Sequence, residues 1–385
     1  MYRILMIAPT PFFADRGAHV RIFEETRALQ GLGNKVAICT YHLGRDLPGL
    51  EIHRTLNVPW YGKLEAGPSL HKLYLDLLLL LKSLSVARRF KPHLIHAHLH
   101  EGVFIGYVLG RLLGLPLLGD FQGSLTGELQ AHGFLRGNRY LYSFLHRAEG
   151  AIDSLADIAV ASSSRVAEEL RKKFRVKEVV VALDGVDTEE FRPGLPYDDQ
   201  PLKIPPGRKV VVYLGLLTGY QGLDCLLETI PLVLEEFQKA HFLIMGYPNV
   251  ERYRSRAEDL GIAESVTFTG RIDYRLAPRY LVLGDVAVSP KLAETESNGK
   301  LCNYMASGLA TVAFDTPVNR EILGQWGVYA RLGDPASLAK ALLKALNDEA
   351  WAKELGARLR ERAVERFSWD NTARKLMECY RVLVA

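Results

Sequence analysis

Short apolar runs bounded by Gly, Pro, Asn and Asp recur along the chain and alternate with longer stretches whose apolar positions repeat at helical spacing. Such alternation predicts βαβ units and parallel sheets. In the first half, strands are predicted at Ile4 to Ala8, Lys35 to Thr40, Leu94 to Ala97, Pro116 to Asp120, Ile158 to Ala161 and Val179 to Ala182. The pattern then restarts, with strands at Lys209 to Leu214, His241 to Met245, Ser265 to Thr269, Val286 to Ser289, Ala310 to Ala313 and Gly327 to Ala330. Between the two series, Arg192-Pro193-Gly194-Leu195-Pro196 and Ile204-Pro205-Pro206-Gly207 are dense in Pro and Gly and read as linker. The expectation is an α/β protein of two Rossmann-like domains, over residues 1–192 and 205–367.

Length agrees with this division, since 385 residues exceed what one core usually serves and an apolar share of 48% supplies two. The four cysteines, Cys39, Cys225, Cys302 and Cys379, stand far apart without a CxxC or Cys/His cluster, which suits reduced thiols in a cytoplasmic protein. Tyr2 to Pro9 reads directly as a strand, so no secretory signal is expected there. Net charge is +4, but unevenly spread: residues 1–180 hold 23 Lys and Arg against 16 Asp and Glu. A basic first half suits an anionic contact such as phospholipid headgroups, nucleic acid or a phosphorylated acceptor. The most apolar run, within Leu73 to Leu81, is too short to span a bilayer, for which about 20 residues are needed. With Lys72, Lys82, Arg88, Arg89 and Lys91 around it, this helix fits either an anionic membrane surface or a place packed on a sheet.

Candidate chemistry concentrates in Ser289 to Gly308, which places Lys291 and Lys300, the carboxylates Glu294 and Glu296, and a helix start close together. Asn298 is expected as N-cap and Gly308 as the C′ residue of a short helix. Lys300 then opposes the positive end of that helix, an arrangement explained by an anion shared with the amides of Ser297, Asn298 and Gly299. Gly17, in the first strand-to-helix loop, permits close approach of a phosphate or sugar. The loop lacks G-x-G-x-x-G, which argues against a dinucleotide-dependent oxidoreductase. His96, His98 and His100 alternate at a strand end; without Asp or Cys nearby in sequence they suit hydrogen bonding better than metal binding. Asp120 ends another strand and is a candidate base or an N-cap. No Ser/His/Asp or Cys/His constellation for nucleophilic catalysis stands out.

Several motifs occur together in a specific order: Pro9-Thr10-Pro11 followed by Arg16-Gly17-Ala18-His19, the run Pro92 to His98, Asp184-Gly185-Val186-Asp187 with Phe191 and Pro193, Tyr304-Met305-Ala306-Ser307-Gly308, and the ending Phe367-Ser368-Trp369. In this combination the chain resembles glycosyltransferase family four, retaining enzymes of the GT-B fold that use nucleotide sugars. The resemblance covers nearly the whole chain. It implies two domains facing a central cleft, with a C-terminal helix of about 368–385 crossing back to the first, acceptor-binding domain. The chain departs from the pattern twice. Leu216 and Gln221 stand where such enzymes usually carry an Arg and a Lys for the donor diphosphate. Of the paired glutamates spaced E-x7-E, the later falls on Asn303 and the earlier on Glu294 or Glu296.

The resemblance therefore implies sugar transfer from a nucleotide diphosphate sugar to an acceptor hydroxyl, the acceptor being a glycan or a lipid-linked molecule, without a metal or other cofactor. Lys291, Lys300, Gln221, Ser297, Asn298, Gly299 and Gly17 would meet the donor, Glu294 or Glu296 its sugar, and Asn303 its ribose. Asp120 and Gln122 would face the acceptor together with His19 and His98. The expected setting is cytoplasmic, at the inner face of the membrane with weak contact to anionic lipid, and no nucleic acid is expected as partner. The competing readings are a nucleotide-sugar epimerase or hydrolase of the same fold and a non-catalytic sugar-binding member, the latter motivated by Leu216 and Gln221.

Overall fold

In a computed structural model of the chain, the described residues are 1–14, 17–62, 71–131, 139–172, 174, 176, 178–197, 202, 204–293 and 297–385. They form two compact units, one of residues 1–184, 297 and 369–385, the other of residues 185–293 and 298–368. The division falls between Asp184 and Gly185, ahead of the Pro- and Gly-rich stretch read as linker.

The first unit contains β1 (Arg3–Ala8), β2 (Lys35–Thr40), β3 (Glu51–Arg54), β4 (Leu94–His98), β5 (Leu117–Phe121), β6 (Ile158–Ala161) and β7 (Val179–Val181). All pair in parallel, in the order β3-β2-β1-β4-β5-β6-β7. Ile4, Leu5, Met6 and Ile7 are buried on both faces, as parallel strands flanked by helices require. The strand that sequence reasoning missed is β3, Glu51-Ile52-His53-Arg54, which pairs only with β2. As an edge strand it buries too little to need an apolar run, so it carries no hydrophobic signal.

The second unit contains β8 (Lys209–Leu214), β9 (Ala240–Met245), β10 (Val266–Gly270), β11 (Val286–Ser289), β12 (Ala310–Phe314) and β13 (Val328–Ala330), again all parallel, ordered β10-β9-β8-β11-β12-β13. Each sheet thus reverses its winding once, between β1 and β4 in the first unit and between β8 and β11 in the second. In open parallel sheets ligands collect outside the carboxyl ends of the strands at such a reversal. The candidate residues of Ser289 to Gly308 follow β11, at the reversal of the second sheet.

The C-terminal helix Trp369–Val384 groups with the first unit, where the Tyr380 hydroxyl meets His96 Nδ1 at 2.8 Å. The leucine-rich helix Lys72–Phe90 divides its leucines between two environments. Leu75 and Leu79 are buried in the core, whereas Leu73, Leu77 and Leu81 are 77%, 56% and 56% exposed. Among the described residues no helix is long and apolar enough to cross a membrane.

Candidate active site

The loops following β8 and β11 bring Gln221 and Lys300 together. Gly215, the first residue after β8, has φ 154°, and a Cβ there would stand 2.7 Å from Lys300 Nζ, so a glycine is needed for the lysine to lie against this backbone. Gly222 at φ 77° plays the same part for the loop itself, because a Cβ would collide with the Pro290 carbonyl. The Leu292 N–H donates to the Tyr220 carbonyl at 3.1 Å and completes this junction. Tyr304, one turn into the helix Lys300–Ala306, accepts from the Leu214 N–H at 2.8 Å and anchors the helix to the end of β8. Gly308 closes the helix at φ 73°, donating to Met305 while Leu309 donates to Tyr304, the paired bonds of a Schellman ending.

The start of this helix differs from expectation. Gly299, not Asn298, occupies the N-cap, with no side-chain cap. Asn298 is buried, and its amide nitrogen donates to Ser289 Oγ at 3.0 Å and Asn319 Oδ1 at 2.9 Å. An interior amide that satisfies two buried polar groups has more to lose than one capping a helix end open to water. Asn298 therefore fixes the loop against β11 from within.

Lys300 donates from Nζ to Gln221 Oε1 at 2.7 Å and lies 4.6 Å from the centre of the Tyr213 ring. No carboxylate pairs with it among the described residues. Desolvation lowers its pKa well below the ordinary lysine value, and Lys291 lowers it further. Lys291 is itself buried. Two lysines whose charges repel in a desolvated corner, Lys300 with a neutral acceptor and a ring face, would each gain from an anion placed there. Gln221, standing where a cation was expected, supplies the oxygen that aims Lys300. Asn303 lies one turn beyond Lys300, and its buried side-chain amide makes no hydrogen bond to the described residues. Glu294 and Glu296 lie outside the described residues. Ser297, grouped with the first unit, donates through Oγ to Asp184.

In the first unit the central group is Arg21, which sequence reasoning did not single out. It sits on the helix Gly17–Gly31, is buried, and reaches Asp120 at 2.8 Å, Asp184 at 2.8 Å and Glu25 at 3.0 Å. Burial opposes ionisation of Asp120, but Arg21 and His98 outweigh it and hold the carboxyl well below its ordinary range. Asp120 is thus buried and not an N-cap; it anchors this network as a carboxylate held by Arg21 and His98. The sequence signal was an arginine and a glutamate four residues apart on the buried face of a helix, a pairing ordinarily read as solvated surface.

His98 donates through Nδ1 to Asp120 Oδ2 at 3.0 Å, and its Nε2 has no hydrogen-bond partner. Gln122, at the carboxyl end of β5, has a buried Nε2 without a partner. Both nitrogens are buried polar groups of the first unit without a hydrogen-bond partner. His19 differs, because both its nitrogens are engaged: Nδ1 accepts from the Ala14 N–H at 2.8 Å and Nε2 contacts Thr10 Oγ1. It holds the loop after β1 in shape. Gly17 is exposed, and a Cβ there would meet nothing within 4 Å, so its role is not steric in these surroundings. The histidine triplet separates, with His96 and His98 stacked at 4.4 Å on β4 while His100 enters the next helix. Beside the stacked pair, Glu25 and Asp120 complete a cluster with metal-ligating atoms, but Arg21 already supplies its cation.

Two family models match the chain: "Glycosyltransferase Family 4" over residues 16–190 and "Glycosyl transferases group 1" over residues 208–348. A phosphatidyl-myo-inositol mannosyltransferase of Mycobacterium tuberculosis is 24% identical over 401 residues, covering 99% of this chain and 97% of that protein. Among solved structures, a sucrose-phosphate synthase from Thermosynechococcus elongatus superposes with TM-score 0.82 at 20% identity, covering 100% and 99% of the two chains. HepE of Anabaena in complex with UDP-glucose superposes with TM-score 0.75 at 14% identity, covering 100% of each. The structural likenesses are likenesses of fold.

Proposed function

The chain belongs to the group 1 glycosyltransferases of the GT-B fold, and from that premise we propose that it moves a hexose from a nucleotide diphosphate sugar to an acceptor hydroxyl with retention of anomeric configuration. The observation that carries the donor assignment is Lys300, desolvated beside Lys291 and facing only the neutral oxygen of Gln221. A nucleoside diphosphate is the anion whose charge suits two such lysines. The UDP-glucose bound by the HepE structure supports a nucleotide sugar as donor.

In this reading the bond between the anomeric carbon and the diphosphate oxygen breaks as the acceptor oxygen bonds to that carbon from the same face. The departing phosphate takes the hydroxyl proton. Lys291 and Lys300 neutralise the charge that develops on the leaving oxygen, which is where fixed cations accelerate such a reaction most, and they do so without a metal. The amides at Asn298 and Gly299 add to them, Asn303 bridges the ribose, and one of Glu294 and Glu296 holds the donor-sugar hydroxyls. On the acceptor side, His98 Nε2 and Gln122 Nε2 orient the hydroxyl, while Asp120 and Arg21 keep His98 in place.

A lipid-linked acceptor at the cytoplasmic face of a membrane fits the helix Lys72–Phe90. Leu73, Leu77 and Leu81 recur every fourth residue and so share one exposed face, and Arg88 and Arg89 are exposed farther along the same helix. The phosphatidylinositol in the relative's name points the same way. The test is product analysis with labelled nucleotide sugars and lipid or glycan acceptors. A new α-glycoside from an α-linked donor supports the proposal; free altered sugar identifies an epimerase or hydrolase, and ligand binding without turnover at any acceptor identifies a binding protein.

A further inference from the structure

We propose that His100, Glu149 and Asp153, all in the first unit, form a binding site for a divalent transition-metal ion, zinc foremost. His100 lies in the first turn of the helix Leu99–Leu113; Glu149 and Asp153 stand one turn apart on the helix Arg139–Asp153. Their ligating atoms all lie within 4.8 Å of one another. His100 Nε2 is 3.5 Å from Glu149 Oε1 and 3.3 Å from Asp153 Oδ1. Ligands held ~2.0–2.1 Å from a tetrahedral zinc are about 3.3–3.4 Å apart, so these separations are close to the edges of such a site.

Two buried carboxylates crowd one another here, and desolvation together with repulsion from Glu149 raises the Asp153 pKa to about 8, so that a bound cation would take the place of its proton. Glu149 and Asp153 are each 1% exposed, and no lysine or arginine pairs with either among the described residues. Asp153 is the last residue of its helix, at the negative end of the helix dipole, where a carboxylate is disfavoured. Its Oδ1 is buried without a hydrogen-bond partner and is aimed at His100. A protonated His100 is a poor substitute for a metal, because burial disfavours its charge and it sits at the positive end of its own helix. The neighbouring cluster of Glu25, His96, His98 and Asp120 solves the same problem with Arg21, whereas the His100 cluster has no arginine or lysine among the described residues and only His146 Nδ1 beside it, 3.6 Å from Glu149 Oε2.

Glu149 is also held as a metal ligand would be. Its Oε1 accepts from the Leu125 N–H at 2.7 Å and its Oε2 from the Thr126 N–H at 3.2 Å and the Thr126 hydroxyl at 2.5 Å. These bonds orient the carboxylate and leave Oε1 facing His100 and Asp153. An imidazole with two carboxylates and a solvent position is a donor set that zinc accepts and that calcium and magnesium do not favour. Bound there, the ion would tie the helices Leu99–Leu113 and Arg139–Asp153 together and, through Glu149, fix the start of the helix Leu125–Ala131.

The experiment uses tag-free full-length protein, stripped with chelator and titrated with zinc chloride by calorimetry. Saturable 1:1 binding with a rise in melting temperature is expected. Asp153→Asn, which keeps shape and removes charge, should weaken binding by roughly 100-fold or more, beyond what loss of an outer-shell partner costs. His100→Gln should do the same, with circular dichroism confirming that both variants fold. Cobalt substitution should give the visible spectrum of a tetrahedral N/O site. Absence of stoichiometric zinc binding, or binding unaltered in both folded variants, overturns the proposal.

Discussion

Lys300 Nζ and Gln221 Oε1 are 2.7 Å apart, a lysine held by a neutral amide in a corner that desolvates its charge. Replacing the lysine by alanine should therefore remove a charged hydrogen bond to phosphate, worth about 1.5–3 kcal/mol, or a roughly 10- to 150-fold loss of nucleoside diphosphate affinity. Affinity for the bare nucleoside should stay unchanged, and calorimetry with both ligands checks the difference. Because burial and Lys291 lower the lysine's pKa, diphosphate binding should be accompanied by proton uptake, and affinity should fall as pH rises.

Glu296→Gln should lower turnover with little change in nucleotide affinity, because contacts to the donor sugar tighten as it gains positive charge. Steady-state rates and nucleotide Kd, measured for this variant and for Glu294→Gln, decide which glutamate holds the sugar. Wild-type rates in both would remove carboxylates from the mechanism.

Arg21→Met should destabilise the first unit by about 3–5 kcal/mol, since it strands the buried carboxylates of Asp120 and Glu25 without their cation. Urea unfolding followed by a probe in that unit reads the loss. A change below ~1 kcal/mol would show that the network contributes little net stability.

His241 gives the second unit an acid sensitivity. The residue is buried, its Nε2 meets Thr267 Oγ1 at 2.8 Å, and burial, with Arg208 adding to it, lowers its pKa from 6.5 to about 4. Between these values the unfolded chain binds more protons than the folded one, so the stability present above pH 6.5 is lost as pH falls through about 4. The loss should be on the order of 1–3 kcal/mol and largely absent in His241→Gln, as read from urea midpoints across that range.

Replacing Leu73, Leu77 and Leu81 together by serine should reduce co-sedimentation with anionic vesicles, as should removing Arg88 and Arg89, at about 1 kcal/mol for each charge near the surface. Raised salt should weaken the electrostatic part. Failure of the wild-type protein to bind such vesicles at low salt would redirect the search to a soluble acceptor.

The sequence by itself determined twelve strands, the central ones buried on both sides and the edge strands β7, β10 and β13 only in part, because period and β-branched content are local properties that the parallel sheet requires. It also determined the glycine ending of the helix Lys300–Ala306, and it located both lysines on one short segment. It was silent on β3, whose edge position needs no apolar signal, and it misassigned Asn298 because capping and interior bonding use the same amide. Only the tertiary structure decided which charges meet. Arg21 lies 99 residues from Asp120, and Gln221 lies 79 from Lys300. Those pairs form because parallel sheets bring the ends of distant strands to one edge, and burial then fixes which partner each polar group must find.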